Sequence, residues 1–435
     1  MQSIKGKVGV HSFAFGDVIG QGAFSKVLMA RMKGTSDYYA VKVLSKAFIK
    51  KEGKEEAVMA EREALVKTNH PFIIKLHYSF QDSQCLYFVI SLCRGGSFWD
   101  LIKALRLPGR GCDITLVHFY MAEIISAVDY LHNVAHLIHR DLKPENILIT
   151  DSGHIMLSDF GAITTSNNDY TKRRNTMCGT ILYLAPESLH GGVITSAVDI
   201  WSIGCILYLL YTGCFLFEGE DELNVIDSIE HFCVDMLEFP DYIPIEAVDL
   251  IKRMLQYDPA KRATAAEIKK HPFFKNIDFD TLHSQKPPYI PPFVPLPVIL
   301  DDELETELNA LRGSIDESYR TAQEEKKEAI TKLLQEGESC LLSSTVIHRS
   351  SVASKKRLLV LTSMRRLLIL DSQATVIKTE LEPSQLAKVF INPHGFHLAV
   401  NYPSKKVYKF ETPNKDQSVW CNCVEHLIKQ QTGFI

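Results

Sequence analysis

Six of the eleven residues from 287 to 297 are proline. A run this dense cannot continue a helix and has few N–H groups to give a sheet ladder, so it is extended chain. It closes one folded unit, and the chain beyond it forms a separate one. In 435 residues there is room for two or three units of ordinary size. A 46% hydrophobic content supplies a core for each. No stretch of about 18 uncharged apolar residues occurs, so no membrane span is expected. The start of the chain, residues 1–10, has no apolar run of the kind a secretion signal needs. The ten cysteines lack paired zinc-type spacing and read as reduced thiols of a cytosolic protein.

Ahead of the proline run, residues 13–90 hold short β-type runs at 15–19, 25–31, 38–44, 74–80 and 86–90, with one helix at about 54–68. Residues 98–275 are mostly helical, with apolar periodicity at 115–132, 198–211 and 246–256. A small strand-rich lobe before a larger helical one is an α+β arrangement with a cleft between. Beyond the prolines, residues 301–336 are acidic and then mixed in charge, with the composition of a helical connector. Residues 338–435 give seven strand candidates and a closing helix at about 416–431. Its Trp420, Val424, Leu427 and Ile428 form one apolar stripe, which suggests a small barrel or sandwich capped by a helix. Arg365 and Arg366 read as a solvated turn pair. Residues 337–435 carry 13 Lys and Arg against 7 Asp and Glu, whereas 1–336 carry 35 against 45. A basic module on an acidic body fits either an anionic partner or simple solvation.

Phosphate chemistry is written into the first unit. Gly20-Gln-Gly22-Ala-Phe24-Ser-Lys-Val27 lies between two strand candidates, and its glycines let backbone N–H groups approach phosphate oxygens. Alone it fits an ordinary hairpin turn better. Lys42, in Ala40-Val-Lys42, adds an ammonium on a nearby strand. Glu61 shares the inward stripe of its helix with Val58 and Leu65, and a carboxylate there needs a buried partner, for which Lys42 is the natural choice. In His139-Arg-Asp141-Leu-Lys143-Pro-Glu-Asn146, Asp141 suits a proton acceptor, Lys143 a charge neutraliser and Asn146 a metal ligand. Asp159-Phe-Gly161 supplies a second metal-binding carboxylate.

In order and spacing this set resembles the eukaryotic protein kinases over about residues 13–275. Ala185-Pro-Glu187, with Arg262, Asp199 and Trp201, resembles the structural anchors of that family's large lobe. The resemblance implies a bilobal fold, ATP and Mg²⁺ as cofactors, and a serine/threonine preference carried by Lys143 and Thr180. It places Gly20, Gly22, Phe24, Val27, Ala40, Lys42, Ile90, Ser91 and Cys93 around ATP, with Ile90 guarding the back of the adenine pocket. Asn146 and Asp159 would hold the metal, and Asp141, Lys143, Lys42 and Glu61 would serve catalysis. Ser97 stands where relatives often carry a ribose-contacting acid.

The segment Arg174-Asn-Thr176-Met-Cys-Gly-Thr180 resembles the activation loop of the AGC group, with Thr176 as its phosphorylation site and Arg140 as the phosphate's partner. The C-terminal module is similar to a pleckstrin-homology domain. The chain also lacks the group's usual C-terminal hydrophobic motif. Together these resemble the AGC members that phosphorylate activation-loop Thr or Ser of other AGC kinases in phosphoinositide-linked signalling. That resemblance implies a pocket for the substrate's hydrophobic motif, lined by Ile49, Val58 and Leu86. Beside it, Arg62, Ser79 and Gln81 would form a phosphate site whose fourth position, a lysine in relatives, is Ala14. It also implies a lipid-headgroup site at Arg349, Lys355 and Arg357. The expected domains are a kinase domain at 13–274, a proline-rich linker at 275–300, a connector at 301–336 and a pleckstrin-homology-like domain at 337–435. The expected setting is cytoplasmic, with peripheral contact at the plasma membrane and no nucleic-acid partner. Two other readings stay open: an AGC-type kinase with non-AGC substrates, and a lipid-dependent scaffold whose kinase fold only binds ATP.

Overall fold

The computed structural model describes residues 8–22, 25–107, 110–165, 181–189, 193–219, 222–297, 299, 327–349, 354–372, 374, 376–392, 395–400, 406–412 and 417–431. Phe24, Thr176, Thr180 and most of the acidic connector lie outside these residues. The chain divides into two compact units. One is Met1–Leu44 with Glu55–Glu307, and the other is Ser45–Lys54 with Leu308–Ile435.

The first unit begins with a five-stranded antiparallel sheet in the order β1-β2-β3-β5-β4. Its strands are β1 (Phe13–Gln21), β2 (Ser25–Met32), β3 (Tyr38–Ser45), β4 (Leu76–Gln81) and β5 (Cys85–Ser91). Helix Glu55–Lys67 follows β3; Glu55 and Glu56 sit in its first turn and Lys67 in its last, as the helix dipole favours. It buries Val58, Glu61, Ala64 and Leu65.

The helical lobe is built on Ile114–Tyr130, capped by Asp113, and on Ala197–Thr212, which is apolar on nearly all sides and buried accordingly. Ile114–Ala135 is long and apolar enough to cross a membrane, but 72% of its apolar window is buried inside this unit, as in a core helix. Two short strand pairs, β6 (Leu137–Ile138) with β9 (Thr164–Thr165) and β7 (Ile147–Ile149) with β8 (Ile155–Leu157), carry the loops that face the cleft.

The proline-rich tail then runs back along both lobes. Tyr120 Oη donates to Gly153 O and, at 3.4 Å, to Tyr289 O. Arg94 donates to Val294 O and pairs with Asp151, Tyr38 Oη donates to Pro297 O, and Arg31 donates to Ile299 O. Gly153 has a positive φ, and a Cβ there would stand 2.1 Å from Tyr289 O, so the tail's path requires glycine at this position.

The second unit holds a seven-stranded antiparallel sheet in the order β13-β12-β11-β10-β16-β15-β14. The strands are β10 (Cys340–Arg349), β11 (Ser354–Thr362), β12 (Leu367–Leu370), β13 (Ile377–Leu381), β14 (Leu386–Asn392), β15 (Gly395–Val400) and β16 (Lys406–Glu411). The sheet with its capping helix is as expected from sequence, except that the barrel is not closed: β13 and β14 are its two ends. The inner face packs Val346, Leu359, Leu361, Phe396, Leu398 and Phe410 against Trp420 and Val424 of helix Gln417–Gln431.

A second core lies on the outer face. There Leu358, Val360, Leu368 and Leu370 meet Ile330, Leu333 and Leu334, from the end of the expected connector. Arg366 is not a solvated turn residue. It is buried, donating through Nε to Glu338 and through Nη1 to Glu380, because the turn before β12 directs it back over the sheet toward two carboxylates.

Candidate active site

The glycine-rich turn joins β1 to β2. Gly20 pairs with Val27, and Gly22 N donates to Ser25 O at 2.8 Å. A Cβ on Gly22 would stand 2.9 Å from Ser25 Oγ, so a side chain there would make the Ser25 hydroxyl move. Val27 lies opposite Lys42 on β3, and Ala40 is buried beside them.

Lys42 Nζ stands 2.6 Å from Glu61 Oε1 and 3.6 Å from Asp159 Oδ1. Burial alone would favour the neutral amine, but the two carboxylates outweigh it and hold the Lys42 pKa above its ordinary value. The reciprocal holds for Asp159: burial pushes its carboxyl up, while Lys42 and His139 pull it lower still. Asp159 adopts φ 56, left-handed and strained for a non-glycine residue. Next to it Phe160 is fully buried, its ring 5.3 Å from His139.

The catalytic loop hangs from Asp199. Its carboxylate accepts from His139 N at 2.9 Å, Arg140 N at 2.8 Å and His132 Nε2 at 2.8 Å. Burial opposes the charge, yet these donors hold the Asp199 pKa below the usual carboxylate range. They also hold Arg140 at φ 67. Sequence does not single out His132; it lies seven residues before His139, near the end of an apolar helix, and nothing in that spacing marks it. Beyond the loop, Asn146 Nδ2 donates to Asp141 O and Oδ2, at 2.8 and 2.9 Å, and Lys143 Nζ lies 3.4 Å from Asp141 Oδ2.

Asn146 thereby spends its amide nitrogen on Asp141, which turns its Oδ1 toward other use. With Asp159 it makes a two-residue oxygen set, the kind Mg²⁺ takes when phosphate oxygens and waters complete its octahedron. Among the described residues no cluster of three or more His, Cys, Asp or Glu offers an all-protein metal cage.

Around the cleft, Ile90 and Ser91 end β5, and Ser91 Oγ lies 3.1 Å from His77 Nε2. Burial raises the Cys93 thiol to about 12, so it stays protonated. Ser97 is a helix cap here: its Oγ accepts from Asp100 N and donates to Asp100 Oδ2 at 2.6 Å. Glu187 and Arg262 form a buried bidentate pair at 2.5 and 2.7 Å, with Arg262 over the Trp201 ring.

Of the expected docking residues, Arg62 Nε donates to Ser79 Oγ at 3.1 Å, and Gln81 lies opposite Leu86. Val58 and Ala14 are buried. Ile49 is buried too, but it belongs to Ser45–Lys54 and groups with the second unit.

In the second unit Lys355 pairs with His348 and Arg357 with Val346, whereas Arg349 pairs with Lys409. The inner face adds two residues that sequence alone does not mark. The His348 ring lies 5.6 Å from Tyr408, and Lys406 stands over that same Tyr408 ring. Burial, then Arg357 and Lys406, push the His348 pKa down. Only the strand pairing, which sequence does not print, brings His348, Arg357 and Lys406 together.

Comparison with known proteins agrees with this division. Residues 13–274 match the protein kinase domain family and residues 328–433 the PH domain family. The chain is 31% identical to 3-phosphoinositide-dependent protein kinase 1 of Mus musculus, over 96% of this chain and 83% of that protein. It is 32% identical to the protein of the same name from Arabidopsis thaliana, over 96% and 91%. A RAC family serine/threonine-protein kinase homolog of Dictyostelium discoideum is 40% identical over 66% of this chain and 63% of its own length.

Proposed function

Because this chain belongs to the protein kinase family, as a Ser/Thr kinase of phosphoinositide signalling with a C-terminal PH domain, we propose that it phosphorylates activation-loop Thr or Ser of other AGC kinases. The observation that supports this substrate class is the likeness to two proteins named 3-phosphoinositide-dependent protein kinase 1 over 96% of the chain, and Lys42 held between Glu61 and Asp159, with Asp141, Lys143 and Asn146 in the same cleft, supports the phosphoryl transfer itself. Protein kinases use ATP, usually with Mg²⁺.

In this reading Lys42, fixed by Glu61, presents its ammonium to the α- and β-phosphates under the glycine-rich turn. Asp141, oriented by Asn146, accepts the proton of the attacking hydroxyl. Lys143 offsets charge as it gathers on the transferred group. Asn146 and Asp159 would hold Mg²⁺, which supplies neutralisation of the phosphate oxygens. Ile90 to Cys93 border the adenine. Thr176 is the phosphosite assigned by this reading, with Arg140 as its partner. The substrate's hydrophobic motif docks beside helix Glu55–Lys67, near Arg62, Ser79, Gln81 and Leu86. With Ala14 buried where relatives place a lysine, phosphate adds little to that docking. Lys355 and Arg357 grip an inositol-phosphate headgroup, joined by Lys406, and bring the protein peripherally to the plasma membrane.

The test is phosphorylation of an AGC activation-loop peptide by the full chain, with and without a linked hydrophobic motif. Preference for the linked peptide supports the reading. Equal or greater turnover of unrelated Ser/Thr peptides would replace it with a kinase of other substrates.

A further inference from the structure

The outer face of the seven-stranded sheet has two halves with different fates. Over β11 and β12 it is apolar and covered by Ile330, Leu333 and Leu334. Over β14, β15 and β16 no such cover occurs among the described residues, and the composition changes. Strand register sets Phe390, His397, Lys409 and Arg349 side by side across four strands. A second row sets Lys388, Ala399 and Val407 across three.

Phe390 is 46% exposed and Val407 51%. Lys388 and Lys409 are exposed, and Lys388 Nζ stands 4.8 Å from the Phe390 ring centroid. Among the described residues Glu411, half-buried, is the acidic position of this face. Two exposed apolar side chains, Phe390 and Val407, with the exposed lysines Lys388 and Lys409 in the same two rows, give this face a mixed apolar and cationic character suited to an interaction surface.

We propose that this face docks an acidic peptide segment of a partner protein. Its carboxylates would meet Lys388 and Lys409, and an apolar side chain would lie against Phe390 and Val407. Two observations favour a peptide. First, β14 ends the sheet and no described strand pairs with its outer edge, where an extended segment could add beside the same residues. Second, the inner-face cluster of His348, Arg357 and Lys406 lies on the opposite side of this sheet. A bilayer met through that cluster is therefore not met flat-on by this face. The docking is independent of headgroup binding, and charge complementarity supplies its selectivity.

The experiment measures binding of the full chain to a fluorescein-labelled random copolymer of glutamate and tyrosine by anisotropy, without nucleotide and at rising salt. The expected result is salt-weakened binding that falls by about tenfold or more in the Lys388→Glu, Lys409→Glu double variant, since two attractions become repulsions. Phe390→Ser is expected to cost less, and the Lys388→Arg, Lys409→Arg variant to bind like the parent. Arg357→Ala, which weakens the inner-face anion site, should lower copolymer binding by less than the double variant does. Undiminished binding by the charge-reversed variant would overturn the proposal, as would a larger loss in Arg357→Ala. A parallel arm uses phosphatidylserine vesicles without phosphoinositide. If the double variant loses vesicle binding but keeps copolymer binding, the face is a lipid surface and the proposal fails.

Discussion

In the cleft, Lys42 lies 2.6 Å from Glu61 and 3.6 Å from Asp159, so each charge is set against its opposite. On the inner face of the second unit's sheet, His348 shares its surroundings with Arg357 and Lys406, and like charges gather. The cleft is therefore preorganised: its groups favour their ionised forms before any ligand arrives, as the raised Lys42 and lowered Asp159 pKa values indicate. On the sheet face burial first, then Arg357 and Lys406, lower the His348 pKa, and Asp371 is the carboxylate that acts on Arg357. An arrangement of the first kind suits charge that develops during a reaction. One of the second kind suits a polyanion that arrives complete.

The sharpest way to break the comparison is Asp141→Asn. It should lower turnover by about 10³-fold while nucleotide binding, read by fluorescence titration, persists. Retained turnover would remove Asp141 from its role. Next, Glu61→Gln takes one carboxylate from Lys42 and should lower turnover by roughly 10- to 100-fold, the worth of a charge-assisted hydrogen bond. On the sheet, Arg357→Ala should weaken binding to vesicles containing phosphatidylinositol 3,4,5-trisphosphate by about tenfold.

The smaller effects concern His348. Lys406→Gln removes one repulsion, so the His348 titration followed by NMR should move upward toward its ordinary value. The pH dependence of binding follows with a definite sign. The free imidazole titrates below its ordinary pKa of 6.5, and a bound phosphate favours imidazolium. Binding therefore takes up a proton, and affinity should rise as pH falls from neutrality toward the depressed free value, then level off. His348→Gln should flatten that rise. A flat profile in the parent chain would place His348 outside the anion's reach.

The two regions also differ in how far they can be read from sequence. Lys42, Asp141, Asn146 and Asp159 stand in short motifs whose spacing is fixed by a single turn or loop, so their roles can be read along the chain. Strand and helix limits are legible to within a residue or two for most elements, because alternation and apolar periodicity are strong there. Arg349 shows the limit. Its pairing with Lys409 depends on the register between β10 and β16, and a one-residue shift would have set it opposite another residue.

The same dependence hides the meeting of His348 with Lys406, which lies 58 positions further along the chain. The outer core on β11 and β12 does leave a signal. Leu358 to Leu361 and Leu367 to Leu370 are unbroken apolar runs, and a strand covered on one face only would alternate. Arg366 sits directly before the second of these runs, and its burial follows from that two-sided cover.

The tail that binds Tyr120, Arg94, Tyr38 and Arg31 by its carbonyl oxygens touches both lobes of the kinase unit. Its prolines hold φ near one value, so the strap has little slack to surrender or to lend. A hinge tied in this way opens only as far as its strap allows. Any parting of the lobes therefore pulls on the carbonyl contacts from Tyr289 to Ile299, far from any reacting atom.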